Sequence, residues 1–81
     1  MQQPGTQPIS MKDLRPGDKA RVRELQVRGS MRRRLLDIGL VENTLVECIG
    51  YSPGGDPRAF LIRGAVIAIR GEDCAKILLE E

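Results

Sequence analysis

The sequence predicts a mainly β fold, a small antiparallel β-barrel of about five strands with one short α-helix, on the strength of three observations. The chain has 81 residues, which suits one small domain. Its apolar residues fall in short runs, several of which alternate with polar residues at the spacing of a half-buried strand. Nine glycines and five prolines separate these runs. Closure would remove the exposed edges of so small a sheet, and a half-open sandwich is the alternative.

The first element that the sequence predicts begins at Ser10. Residues 1–9 are mainly Gln, Pro, Gly and Thr, a composition typical of a disordered tail, so we expect a single folded domain over residues 10–81. Ser10 and Asp13 have the spacing of a capping box, in which each residue's side chain accepts a hydrogen bond from the other's backbone. This spacing predicts a one-turn helix near residues 11–14.

A bent first strand is predicted next. Residues 19–23 alternate between polar and apolar side chains, and residues 24–27 continue the alternation out of phase. A β-bulge, which places one extra residue in a strand, produces this kind of slip. We therefore expect a bulged or bent strand here.

The one longer helix is predicted over residues 31–38. Met31, Leu35 and Ile38 are spaced at i, i+4 and i+7, which puts them on one face of a helix. Ser30 is placed to cap its N-terminus and Gly39 to end it in a left-handed conformation. Three consecutive arginines in its first turns oppose the helix dipole and point mostly to solvent, which indicates a role other than helix stability: Arg32, Arg33 and Arg34.

A second strand is predicted over residues 45–51, and the Gly- and Pro-rich residues 52–57 form a loop. Two further strands flank Gly64-Ala65, a pair suited to a type II′ hairpin turn. In that register Ile62 faces Ile67 and the inner face of the hairpin is apolar. The other face then carries Leu61, Val66 and Ala68.

The chain is expected to end with a one-turn helix near residues 72–75 and a strand over residues 76–79. Because the chain has only one Phe, one Tyr and no Trp, the core must be mainly aliphatic. We predict that the core contains Val22, Leu35, Ile38, Val46, Phe60, Ile62, Ile67, Ile69 and Ile77.

Composition excludes most catalytic and metal chemistry. The chain has no His, which removes the commonest general base and the commonest transition-metal ligand, so an enzyme is not expected. The two cysteines, Cys48 and Cys74, fit best as small buried residues and are only weak candidates for a metal site. No cofactor is expected beyond a weakly held divalent ion such as Fe²⁺. No signal peptide or 18-residue apolar run is present, which predicts a cytoplasmic protein without direct membrane insertion.

Charge is distributed unevenly along the chain. The net charge is +2, but residues 1–34 hold nine basic and three acidic side chains, whereas residues 35–81 hold four and eight. The arginines of residues 32–34 are interpreted as a solvated face, a surface for an acidic protein partner or a nucleic-acid patch. No aromatic residue lies among them to stack on bases, so nucleic acid is the least favoured of the three. Proline-rich ligands are also disfavoured, because they need an aromatic-lined groove.

Several motifs occur together between about residue 10 and the C-terminus: Leu14 with Pro16-Gly17, Ala20 and Val22; the run RRLLDIGL over residues 33–40; Gly55-Asp56-Pro57; Ile67-Ala68-Ile69-Arg70; and Ala75 with Ile77. In this order and spacing they resemble the FeoA family of small accessory proteins in bacterial ferrous iron transport. Where the family usually has Pro-Gly after the helix, this chain has Glu42-Asn43, and Asn tolerates the left-handed conformation that Gly would adopt.

The resemblance implies an SH3-like barrel that binds and regulates FeoB, a membrane iron permease with a cytoplasmic GTP-binding domain, and does not catalyse a reaction. Two surfaces are then candidates for the contact: the arginines of residues 32–34 and the outward apolar side chains of the hairpin, the latter also suited to a weak homodimer. The alternative function is a metal-binding SH3-like module or iron-responsive regulator, which the family's similarity to iron-dependent repressors implies. A small nucleic-acid-binding barrel is the third.

Overall fold

The structure is a computed structural model that describes residues 9–80. It is mainly β, with five antiparallel strands in one sheet of order β4-β3-β2-β1-β5, which confirms the predicted fold class. The strands are β1 Lys19–Leu25, β2 Leu45–Tyr51, β3 Arg58–Ile62, β4 Ala65–Ile69 and β5 Ile77–Leu79; the helices are α1 Gly29–Asp37 and α2 Gly71–Cys74, with 3₁₀ turns at Met11–Asp13 and Pro53–Gly55.

The sheet curves around the core but does not close, so the predicted closure is wrong in this respect. Strands β4 and β5 end the strand order and do not pair with each other. The β5 edge is covered instead by the N-terminal segment, in which Ser10 bridges Leu78 and the Ile9 carbonyl accepts a hydrogen bond from the Leu79 N–H at 2.9 Å. Only β4 keeps an edge of the sheet without a partner strand among residues 9–80.

The capping box at Ser10 is present. The Ser10 Oγ accepts a hydrogen bond from the Lys12 N–H at 3.2 Å, and the Asp13 carboxylate accepts one from the Ser10 N–H at 2.8 Å. Ile9 packs against the core, so the folded part begins one residue before the predicted boundary at residue 10. The rest of the expected disordered tail, residues 1–8, lies outside the described residues.

Strand β1 is bulged, as the change of alternation predicts. Lys19–Arg21 pair with β2, whereas Val22–Leu25 pair with β5, and the register shifts between Val22 and Glu24. At the change of partner, the Val22 N–H donates to the Thr44 carbonyl at 2.9 Å and the Val22 carbonyl accepts from the Asn43 N–H at 2.7 Å. One strand thereby joins two parts of the sheet.

Helix α1 begins at Gly29 and ends at Asp37, so it starts earlier than the predicted 31–38. Gly29 has φ +71°, which turns the chain directly from β1 into the helix, and Ser30 lies inside the first turn instead of capping it. The C-terminus is as predicted: Gly39 has φ +93° and donates to the Leu36 carbonyl, while the Leu40 N–H donates to the Leu35 carbonyl. These two bonds form a Schellman motif.

The hairpin turn is formed by Arg63-Gly64, so the predicted Gly64-Ala65 turn is wrong. Arg63 and Gly64 have φ +50° and +83°, both left-handed, which is typical of a type I′ turn, and Ile62 pairs with Ala65. The conformation is unfavourable for Arg, but the Arg63 Nε donates to the Gly39 carbonyl at 2.8 Å. The register moves by two residues, so Phe60 faces Ile67, and every side chain keeps its predicted face.

The core is a single cluster built around Phe60. Of the nine predicted core residues seven are buried, and Ile38 and Ile67 are half-buried against the cluster. Ile67 stays half-exposed because it lies on β4, beyond which no strand covers it. The predicted core leaves out five apolar residues that are buried in short turns and near strand ends: Met11, Leu14, Val27, Leu40 and Leu79. Cys48 and Cys74, expected as small buried residues, are buried as well.

The Phe60→Ala variant tests the core. Phe60 is fully buried, so its truncation should lower the free energy of unfolding by about 3–5 kcal/mol. The matched control is Val66→Ala on the facing strand, where the side chain is 63% exposed and the expected loss is about 0.5 kcal/mol. Urea unfolding followed by circular dichroism measures both, and equal losses would contradict this account of the core.

The Gly39→Ala variant tests the contact between the hairpin and the end of α1. A Cβ at Gly39 would lie 2.6 Å from the Arg63 Cδ, so the variant should lose both the left-handed conformation and the Arg63 hydrogen bond. Gly29→Ala is the control, because Gly29 also has positive φ but its Cβ would meet nothing within 4 Å. Thermal unfolding should show Gly39→Ala less stable than Gly29→Ala by at least about 1 kcal/mol. If the two variants lose the same stability, Arg63 does not hold the hairpin against the helix.

Candidate protein-binding surfaces

The arginine surface, Arg32, Arg33 and Arg34, lies on helix α1 and is exposed. Arg32 is partly engaged, because its Nη1 donates to the Leu25 carbonyl at 2.8 Å and ties the helix to the end of β1. Arg33 and Arg34 make no ion pair with any carboxylate in residues 9–80, where the single ion pair is Arg70 with Asp56 at 3.8 Å. Within residues 9–80 the arginine surface therefore forms no ion pair, although the Asp37 carboxylate lines the same cleft as Arg32 and Arg33.

A shallow cleft adjoins the arginine surface between α1 and β1. Leu36 and Val41 are each 39% exposed there, and Leu25 and Arg32 also line it. Two carboxylates, Glu24 and Glu42, stand at the same cleft. The cleft is therefore of mixed charge, and the positive potential is concentrated on the helix.

The hairpin surface, Leu61, Val66 and Ala68, lies on the outer face of the sheet as predicted from the alternation. Leu61 is half-buried opposite Val66, and Ala68 is exposed opposite Ala59. A cleft on the same face holds Leu61 next to basic side chains that the sequence analysis did not select: Lys19, Arg21 and Arg63. Only the pairing register reveals this neighbourhood, because the four residues come from β1, from β3 and from the hairpin turn, and β2 lies between the two strands.

The two surfaces do not meet in one cleft. Leu61 shares its cleft with residues of β1, β2 and the hairpin, whereas Arg32 shares its clefts with α1 and the end of β1. The two clefts are lined by consecutive residues, 41–42 and 43–45, so a partner that contacts both surfaces must span both clefts, or else each surface serves a different contact.

Both cysteines are buried and free. Burial raises the pKa of the Cys48 thiol above its ordinary value and raises the pKa of the Cys74 thiol to about 11. The positive charge of Arg58 lowers the pKa of both thiols, but by less than burial raises it. Both are therefore neutral thiols at pH 7, and metal ligation uses the thiolate. Within residues 9–80 no three side chains of the His, Cys, Asp or Glu type come together in a way that could hold a metal ion.

Arg58 and Tyr51, which the sequence analysis did not assign to a site, cover one end of the core. The Arg58 guanidinium lies 4.8 Å from the centre of the Tyr51 ring and donates to the Lys12 carbonyl. The Tyr51 hydroxyl donates to the Leu14 carbonyl at 2.9 Å. Phe60 is buried in the core, whereas the Tyr51 ring is 43% exposed beside Arg58.

Asn43 has φ +73° and adopts the expected left-handed conformation. It stands at the position where the chain departs from the Pro-Gly that is usual in the family it resembles.

Among the described residues no helix has the length and apolar character needed to cross a membrane.

Two known proteins are similar to most of this chain. The chain is 31% identical over 72 residues to a Fe(2+) transport protein A/Fe(2+) transporter FeoB fusion protein of Porphyromonas gingivalis, and the match covers 89% of this chain but 8% of the fusion protein. The solution structure of FeoA from Chlorobium tepidum superposes with a TM-score of 0.85 at 28% identity, covering 89% of this chain and 69% of that one.

A third relative bears on the fold alone. The crystal structure of Stenotrophomonas maltophilia FeoA complexed with zinc, described as a prokaryotic SH3 domain protein, superposes with a TM-score of 0.79 at 21% identity, covering 89% of each chain. The open five-stranded sheet is therefore SH3-like, as the resemblance implied. The FeoA domain model matches residues 9–81, so together with the fold and the motifs this match shows that the chain belongs to the FeoA domain family, which is related to ferrous iron transport.

Proposed function

We propose that this protein is a cytoplasmic accessory protein of ferrous iron uptake that binds a FeoB-type permease and modulates its activity without catalysing a reaction. The observation that carries the proposal is the Porphyromonas gingivalis relative, whose name joins Fe(2+) transport protein A to transporter FeoB in one chain. Fusion holds two modules at a high effective concentration, which favours their contact even where affinity is low. Contact with the permease then requires a surface of the domain that finds and holds it.

The arginine surface suits the first of these tasks. Three neighbouring guanidinium groups on one helix, which form no ion pair in residues 9–80, produce a positive potential that attracts an acidic patch. Such charge mainly accelerates encounter and selects the partner, whereas buried apolar contacts and hydrogen bonds slow dissociation. The partner that fits is a protein with an acidic face towards the cytoplasm.

The other two candidate functions have less support. The buried thiols have raised pKa values and no three-ligand cluster accompanies them in the described residues, which does not favour the metal-binding module. Stacking on nucleic-acid bases requires an exposed aromatic near the arginines. The Tyr51 ring is 43% exposed, but it lies on β2 beneath Arg58, whereas the arginine surface is on α1.

Reversing the arginine surface to Glu at all three positions tests the proposed function. With full-length permease from the same organism in detergent, we expect the association rate at low ionic strength to fall about tenfold or more, because steering is lost. The difference in association rate between the variant and the unaltered protein should nearly vanish at ~1 M salt, where the screening length is about 3 Å. Biolayer interferometry measures both rates.

The matched control reverses three exposed basic residues outside α1 and outside the hairpin cleft, namely Lys12, Arg15 and Arg23, for the same change in net charge. If the control slows association as much as the α1 variant, net charge and not the arginine surface is responsible. If the unaltered protein does not bind the permease at low salt, the proposed function is wrong.

A further inference from the structure

The free edge of β4 presents backbone groups that no strand satisfies. Ile62 and Ala65 close a two-residue turn, so they exchange hydrogen bonds, and the pairs along β3 and β4 then alternate between bonded and non-bonded. Val66, opposite Leu61, and Ala68, opposite Ala59, are in non-bonded pairs. Their N–H and C=O groups therefore point away from β3, towards open solvent.

This edge lacks the features that normally prevent strand addition. Sheet edges are usually protected by a charged side chain, a proline, a bulge or a covering segment. Strand β4 has the sequence AVIAI, pairs with β3 in an unbroken register and contains none of these. The opposite edge, β5, is covered by Ile9 and Ser10. The contrast singles out β4.

The side chains at the edge also lack a covering layer. Val66 is the most exposed large apolar side chain of the described chain at 63%, and it lies on the outer face beside Leu61. Ile67 points to the opposite, inner face. It is only half-buried, because no strand follows β4 to cover it. An added strand would cover Val66 on one face and Ile67 on the other, and would extend the sheet where it fails to close.

Charge at the ends of β4 identifies the kind of strand that fits. Between residues 63 and 70 the only charged residues are Arg63 and Arg70, one at each end of the apolar strand. Arg70 also lies 3.8 Å from the Asp56 carboxylate, but its side chain is 69% exposed. An extended segment with apolar residues in its middle and acidic residues at both ends complements this arrangement. The β4 strand of a second copy does not, because its own two ends carry the same arginines and no carboxylate.

We propose that β4 binds an extended, acidic-flanked segment of its protein partner by strand addition, with the outward backbone groups of Val66 and Ala68 forming the new ladder. This inference rests on the proposed function for the identity of the partner, the permease. Contact through the arginine surface and contact through β4 are separable, because the two lie on different elements.

The Ala68→Pro variant tests the ladder directly. Proline removes the outward N–H of residue 68 but no bond to β3, and edge strands tolerate it where the N–H faces solvent. The matched control is Ala68→Val, which keeps the N–H and adds a β-branched side chain on the same face. With the full 81-residue chain and detergent-solubilised full-length permease, we expect Ala68→Pro to weaken binding about tenfold or more and Ala68→Val less than about threefold.

Amide hydrogen exchange of the unaltered chain provides a measurement that does not depend on a variant folding. In the free protein the Val66 and Ala68 amides should exchange much faster than the Ile67 amide, which is bonded to β3. In the permease complex the Val66 and Ala68 amides should slow about tenfold or more.

The outcomes separate the two proposals. If the permease binds but these two amides do not slow, or Ala68→Pro binds as the unaltered protein does, strand addition is wrong and the proposed function stands. Strand addition is also wrong if both Ala68→Val and Ala68→Pro lose permease binding while the Val66 and Ala68 amides of the unaltered protein exchange equally fast with and without permease. Side-chain packing then accounts for the contact. If the unaltered protein does not bind the permease at all, both proposals fail.

Discussion

The bulge in β1 is the constraint on which the rest of the structure depends. A regular strand of seven residues would pair along its whole length with the same neighbours, but here Lys19–Arg21 pair with β2 and Val22–Leu25 with β5. The shift between Val22 and Glu24 bends the sheet, so that β5 and β2 both face the same interior. A chain with one Phe and no Trp can fill that interior because the curvature keeps it small.

Curvature from the bulge in β1 and from a second register shift in β2, between Cys48 and Gly50, brings the sheet around but leaves it open at β4. The hairpin is held without a closing ladder, by contacts that include the β2–β3 pairing and the hydrogen bond from Arg63 to the Gly39 carbonyl at the end of α1. This hydrogen bond offsets part of the cost of an arginine in a left-handed turn position that Asn or Gly would occupy more favourably. The two-residue Arg63-Gly64 turn sets the hairpin register, and hence which backbone groups of β4 point outward.

Patterns that depend on local alternation were predictable from the sequence, and features that depend on distant contacts were not. Strand β2 has the predicted bounds and the slip after residue 23 marks the bulge, because burial of one face imposes period-two spacing. The hairpin turn was misplaced because Gly64 alone suggests several turn types, and the bond to Gly39 that supports Arg63 in the turn joins residues 24 apart in the chain. The basic neighbours of Leu61 were missed for the same reason, since they come together only through the register of three strands.

The arrangement of the candidate surfaces separates the rate of encounter from the lifetime of a complex. Exposed arginines act over about a Debye length and are screened by salt, so they affect mainly how often a partner arrives. Backbone bonds at an edge act only on contact and depend on geometry, so they affect mainly how long it stays. Under the two proposals, the arginines of α1 therefore act in the encounter with the partner, and the unpartnered edge of β4 acts in its retention.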